Sequence, residues 1–229
     1  MSRPKSHAKS SKGSGKSSKG GKPGYEPQDA YYHEAKKKGF VARSALKLEE
    51  LDRKAQFYRK GMRILDLGCA PGSWLQYASR KVGPEGRLFG IDLDPVRVDL
   101  SNVTTVVGDI YGLTPEDERL AGFAPFDMIQ SDAMTKTTGI SESDCARSVA
   151  LSEYALYLGR RGLLKNGGSF VCKVFEGSGF TEFFLEMKKA FRKASVHRPE
   201  AIRPGSREVY VVGAEFRESN TLAAPPKDD

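Results

Sequence analysis

Cysteine and histidine are scarce, three of each in 229 residues. Cys69, Cys145 and Cys172 lie far apart without CxxC spacing, and His7, His33 and His197 are scattered. That pattern excludes a disulfide framework and offers no ligand set for a metal, so no metal site is expected. No apolar run approaches the ~20 residues that span a bilayer, and the start of the chain lacks the apolar stretch of a signal peptide. A cytoplasmic protein without membrane contact is the expectation, and a monomer.

Acid is missing from the first 25 residues, which hold Arg3, Lys5, Lys9, Lys12, Lys16, Lys19 and Lys22 among Ser and Gly. The net charge of the whole chain is +8, so residues 26–229 together carry only +1. A segment this poor in apolar residues cannot offset the entropy of ordering itself. Residues 1–25 are expected to be a disordered basic tail, either solubilising or a tether to RNA phosphate. Residues 218–229 are expected to be a second flexible tail, leaving 26–217 as one domain.

Within that domain short β-rich runs alternate with helical patterns. Arg63–Leu67, Arg87–Ile91, Val103–Val107, Phe126–Ser131 and Ser169–Phe175 read as strands that are continuous rather than alternating. Such strands are buried on both faces of a parallel sheet. Ala194–His197 and Glu208–Ala214 read as an antiparallel pair. Ala42–Phe57 reads as an extra helix ahead of the first strand. Thr114-Pro115 with Asp117 marks a helix start, and Ser141–Asp144 has capping-box spacing. Phe180, Phe183, Phe184, Met187 and Phe191 fall at helical intervals, one apolar stripe for the core. The sum is an α/β fold: a Rossmann-like, seven-stranded, mostly parallel sheet with a terminal antiparallel hairpin.

The first strand ends in Asp66-Leu67-Gly68-Cys69-Ala70-Pro71-Gly72-Ser73-Trp74. A strand running through a glycine turn into a helix is where open α/β sheets bind nucleotides. Gly68 and Gly72 would let backbone approach a ligand closely. The turn is neither GxGxxG nor GxxxxGK[ST], which disfavours a nicotinamide dehydrogenase and a nucleotide triphosphatase. A phosphate-free ligand such as S-adenosylmethionine suits it better. Three acids support this. Asp92 closes the second strand, at the spacing where an acid meets ribose hydroxyls. Asp109 follows the third strand, where an adenine amino group would lie, and Asp132 follows the fourth. Each alone is an ordinary cap or turn residue, but all three share one sheet edge. Lys173 lies inside the apolar run Phe170–Phe175, where a buried lysine is costly.

These stretches, together with Gly167–Gly177, Ser131-Asp132 and Ser206-Arg207-Glu208-Val209-Tyr210, resemble the FtsJ ribose 2′-O-methyltransferases from about Ala30 to Glu215. The resemblance implies a class I methyltransferase using S-adenosylmethionine on the 2′-hydroxyl of RNA. The implied substrate is a uridine of large-subunit (23S) ribosomal RNA, with a transfer RNA enzyme or a non-catalytic ribosome-assembly factor as alternatives. It implies the catalytic set Lys47, Asp132, Lys173 and Glu208, and cofactor contacts at Gly68, Gly72, Trp74, Asp92, Asp109 and Asp132. Lys173 would orient the hydroxyl, either removing its proton or stabilising the developing oxyanion. Two departures stand out. Ala133-Met134-Thr135-Lys136 replaces a stretch that usually holds Pro, and Val41, Ala45 and Leu46 replace residues of the RNA-contacting region. Arg43 is kept there, and Lys36, Lys37 and Lys38 would supply the missing positive charge.

Overall fold

The computed structural model describes residues 30–134, 141–202 and 205–217. Both tails, the first 25 residues and residues 218–229, lie outside the described residues, as does Thr135-Lys136. Twelve elements organise the described chain: α1 (Ala30–Lys37), α2 (Ser44–Ala55), β1 (Arg63–Leu67), α3 (Ser73–Val82), β2 (Arg87–Asp92), β3 (Val103–Val107), β4 (Phe126–Ser131), α4 (Ser141–Leu158), β5 (Leu164–Phe175), α5 (Phe180–Ala190), β6 (Phe191–His197) and β7 (Glu208–Phe216). The strands form one sheet in the order β3-β2-β1-β4-β5-β7-β6. The first five run parallel, while β7 is antiparallel to both β5 and β6. The expected seven-stranded sheet with its terminal hairpin is therefore present.

Period-2 side chains divide the core between the two faces of the sheet. Leu65, Leu67, Phe89, Ile129 and Phe170 pack towards α4 and α5 with Phe183 and Met187. Ile64, Met128, Val171 and Tyr210 pack towards α2 and α3 with Leu48, Leu51, Trp74 and Leu75. Burying side chains of this size stabilises the fold by roughly 1.5–3 kcal/mol each.

Three local expectations are corrected. β3 is not buried on both faces: it lies at the sheet edge, with Thr104, Thr105 and Val107 exposed. Its β-branched run satisfies strand propensity without a covering helix. Thr114-Pro115 opens no α-helix. Asp117 caps only a single 3-10 turn, Glu118–Leu120, and Gly122 at φ +80° follows at once. Phe191 is not part of the helical stripe either, because α5 ends at Ala190 and Phe191 begins β6. In addition β5 starts at Leu164, five residues early, and α1 precedes the expected extra helix.

A polar trio interrupts the core on the α2/α3 face. Tyr58 donates its hydroxyl to Gln130 Oε1, and Gln130 Nε2 donates to Asp66 Oδ2 at 2.9 Å. Asp66 Oδ1 is buried without a hydrogen-bond partner among the described residues. Removal from water pushes the Asp66 carboxyl up to about 8, with Asp132 and Asp92 adding to the shift and the Gln130 hydrogen bond opposing it. Folded Asp66 therefore holds its proton at neutral pH, whereas the unfolded chain releases it near ~3.9. The folded state binds more protons across that window, so stability falls as pH rises from about 4 to about 8, by up to ~1.4 kcal/mol per unit. Asp66→Asn keeps the acceptor for Gln130 and removes the titration. Urea unfolding between pH 5 and 8 is expected to show a shallower decline for Asp66→Asn than for the parent, and equal slopes would refute a neutral Asp66.

Candidate active site

At the carboxyl ends of β1, β2, β3 and β4 lies a cavity of about 790 Å³, lined by Gly68, Asp92, Asp109, Tyr111, Asp132 and Met134 among others. Parallel strands deliver their loops to the same edge, which is why acids far apart in sequence meet there. Asp92 Oδ2 accepts from the Ala70 amide at 2.8 Å and Oδ1 from the Asp94 amide at 2.9 Å. Its carboxylate thus shapes the glycine loop while facing the cavity. Asp109 accepts from the Tyr111 amide at 3.0 Å and caps the turn Ile110–Gly112. Gly68, at φ +75°, sits where a Cβ would come within 2.4 Å of the Ala133 Cα. Only glycine lets these two loops approach.

The lining suits a phosphate-free cationic ligand. Asp92, Asp94, Asp109 and Asp132 face Arg97 as the single basic side chain among the lining residues. Carboxylates can accept from ribose hydroxyls and an adenine amino group, and they attract a sulfonium and an ammonium. Leu93, Ile110 and Met134 give apolar wall for a ring.

Beside the cavity runs a chain of five polar side chains, buried except for Asp132, which is half-buried at the cavity. Lys47, from α2, meets Glu208 Oε1 at 2.5 Å. Tyr210 places its hydroxyl 2.8 Å from Glu208 Oε1 and 3.0 Å from Asp132 Oδ1. Lys173 lies 3.2 Å from Asp132 Oδ1 and donates to the Asp132 carbonyl. Lys47, Lys173 and Glu208 are each under a tenth exposed. Strand register builds this row: Lys173 pairs with Tyr210 across β5 and β7, and Phe175 with Glu208. Burial, then the charges of Asp132 and Glu208, push the Tyr210 hydroxyl well above its ordinary value, so it is a donor. Asp132 belongs to both the chain and the cavity lining.

All four residues of the expected catalytic set thus come together, and Tyr210 joins them. Sequence reasoning assigned Tyr210 no role. The signal available was Glu208-x-Tyr210, which puts both side chains on one face of a strand.

The other expected site residues are placed differently. Gly72 and Trp74 do not line the cavity. Gly72 is the N-cap of α3, at φ +109°, where a Cβ would come within 2.6 Å of Val98. Trp74 is 2% exposed, packs against Tyr210 with ring centroids 5.8 Å apart and planes tilted by 33°, and donates Nε1–H to the Ser44 carbonyl at 3.0 Å. Ser73 and Ser44 share a 2.7 Å hydroxyl contact. The first turn of α3 therefore holds the start of α2, the helix that carries Lys47. Of the expected RNA contacts, Lys36 and Lys37 are exposed at the end of α1 and Arg43 is half-buried before α2. Lys38 is held by Glu34 at 2.9 Å and Glu49 at 2.6 Å.

Residues 40–216 match the model of the FtsJ-like methyltransferases. The chain belongs to this family. It is 46% identical over 191 residues to a Bdellovibrio bacteriovorus protein named ribosomal RNA large subunit methyltransferase E, covering 82% of this chain and 97% of that one. A Desulfatibacillum aliphaticivorans protein of the same name is 47% identical, covering 81% of this chain and 89% of that one. Among solved structures, one described as a ribosomal RNA methyltransferase from Plasmodium falciparum superposes with a TM-score of 0.66. It is 26% identical and covers 77% of this chain and 98% of its own. As an FtsJ-like methyltransferase, the chain is an enzyme with the Rossmann-like fold of that family.

The position of Trp74 generates a test. Trp74→Phe keeps the ring against Tyr210 and removes the hydrogen bond to Ser44, an interaction of about 0.5–1.5 kcal/mol. S-adenosylmethionine affinity by calorimetry is expected to stay within about twofold, while single-turnover methylation slows roughly 2–10-fold. In a Lys47→Ala background the same change should add no further loss. Weakened cofactor binding with an unchanged rate would instead make Trp74 a cofactor contact.

Proposed function

We propose that this enzyme transfers the methyl group of S-adenosylmethionine to a ribose 2′-hydroxyl of large-subunit ribosomal RNA. The observation that carries the reading is the Lys47–Glu208–Tyr210–Asp132–Lys173 chain, which ends beside an acid-lined cavity. The relatives' shared name supports the ribosomal substrate, and a uridine of 23S ribosomal RNA is the target that the resemblance favours. Residues 26–217 would form the whole catalytic domain, working as a cytoplasmic monomer.

When bound, the cofactor supplies a methyl on a positively charged sulfur that leaves as a neutral thioether. Asp92 and Asp109 would hold its ribose hydroxyls and adenine amino group. The protein's task is to deliver a 2′-oxygen in line with that methyl, which is worth up to ~7–11 kcal/mol in the best cases. An ammonium has three N–H donors. Lys173 directs donors at the Asp132 carbonyl and carboxylate, which leaves one for the substrate oxygen. As the new carbon–oxygen bond forms and the carbon–sulfur bond breaks, the hydroxyl proton must leave. Lys173 would stabilise the oxygen as it does, and Asp132, paired to Lys173 on the same edge, would accept the proton. Lys47, Glu208 and Tyr210 keep Asp132 and Lys173 in register.

The deciding experiment maps ribose methylation in cells with and without the protein, then repeats the reaction on purified large-subunit ribosomal RNA and on transfer RNA. Loss of one ribose methyl from the large-subunit RNA is expected, and methylation of transfer RNA alone would overturn the assignment. For Lys173→Ala, single-turnover methylation at saturating RNA and cofactor should slow about 10²–10⁴-fold, with cofactor affinity little changed. Near-parental turnover by a folded variant would remove Lys173 from the mechanism.

A further inference from the structure

Charge is unevenly divided between the two edges of the sheet among the described residues. The carboxyl edge collects Asp92, Asp94, Asp109, Asp132, Glu176 and Glu208 against Lys173, Arg198 and Arg207. At the opposite edge, Arg63 opens β1, Arg87 opens β2, Lys165 lies at the start of β5, Arg192 and Lys193 at the start of β6, and Arg217 just follows β7. Arg87, Arg192, Lys193 and Arg217 are exposed. The carboxylates on these strand ends are Asp127 and Glu215, with Glu85 just before β2. Asp127 meets Lys165 at 2.5 Å, and Glu215 meets Lys193 at 2.7 Å and Arg192 at 3.9 Å. Cations are left over, in a region of the chain whose net charge is only +1.

Two ordinary explanations fall short. Lysines in the last turn of a helix answer its negative end, and that accounts for Lys188 and Lys189 on α5. Strand ends have no such macrodipole, because sheets carry only small net dipoles. Nor are these cations scattered for solubility. Arg192 and Arg217 flank a cleft of about 470 Å³ with Asn166, Gly167 and Glu215, a concave surface with backbone and amide donors beside two guanidinium groups.

The geometry points to this edge as a second RNA-docking face, which grips phosphate backbone away from the nucleotide being methylated. The inference rests on the ribose-methyltransferase reading. The edge where the reaction takes place needs acids for its cofactor, so that edge is poorly suited to holding polyanionic RNA by charge alone. From Asp127 to Asp132 along β4 the two edges are separated by about 17 Å of strand. The two edges face opposite ways, so a hairpin of a few base pairs seated in the cavity lies against one of them only. A large folded RNA offers a second backbone tract for the other.

The test uses the full chain and its Arg192→Glu/Arg217→Glu variant, with folding checked by circular dichroism. Each is titrated with intact large-subunit ribosomal RNA and with a short hairpin containing the methylated nucleotide, between 50 and 200 mM salt. On the intact RNA the variant is expected to bind about tenfold or more weaker, with a salt slope shallower by roughly 1.5–2, the effect of two lost phosphate contacts. On the hairpin, affinity should change less than about threefold, and turnover at saturating RNA should match the parent. Unchanged affinity and slope on the intact RNA would overturn the second face. An equal loss on both RNAs would also overturn it, since that marks a general change in net charge. If the parent itself methylates neither RNA, the ribose-methyltransferase reading fails instead, a separate outcome.

Discussion

The Tyr210 hydroxyl is the pivot of this structure. It lies between two ion pairs, Lys47–Glu208 and Lys173–Asp132, that are withdrawn from water. Burying an unpaired charge costs several kcal/mol, and even a paired one gains little unless its remaining donors and acceptors are satisfied. Each charge in the row is tolerable only because the next one is present. The antiparallel register of β7 on β5 sets Tyr210 opposite Lys173. A slip of one residue would send Tyr210 to the other face of the sheet. The terminal hairpin therefore builds the polar row as well as the sheet.

The same side of the molecule joins the glycine loop to the polar row. Gly68 lets the β1 loop approach Ala133, which follows Asp132. Gly72 starts α3, whose first turn grips α2 through Trp74 and Ser73. α2 then presents Lys47 to Glu208. Beneath them the Tyr58–Gln130–Asp66 trio spans β1 and β4 on the same face of the sheet. Its carboxyl stays neutral because it is dry, so it adds no charge to a site that already concentrates acids. These links brace the polar row from both sides, as the proposed alignment of a nucleophile would require.

Much of this was legible in the residues. Five of the seven strands were placed within a residue or two at their starts, because continuous apolar runs bounded by glycine or acid have few other solutions. The three acids at strand ends were legible for the same reason: parallel strands put their carboxyl ends together. The edge position of β3 and the short turn after Thr114-Pro115 are not legible in the residues, because propensity and caps are local. Whether a strand lies at the edge, or a helix has room to grow before Pro125, is decided by neighbours distant in sequence. Phe191 matched the helical period by coincidence, and β6 pairing with β7 claimed it.

The sequence by itself determined the fold class, the glycine turn and the acid-lined edge, since those depend on residue type, period and motif spacing along the chain. Tertiary structure alone decided three other matters. It made Tyr210 the joint between two ion pairs, because strand register is a relation between distant segments. It turned Trp74 inward to hold α2, because a side chain's direction depends on what packs against it. It also left one edge of a nearly neutral domain with more cations than acids, because charge along a sequence has no sides until the chain is folded.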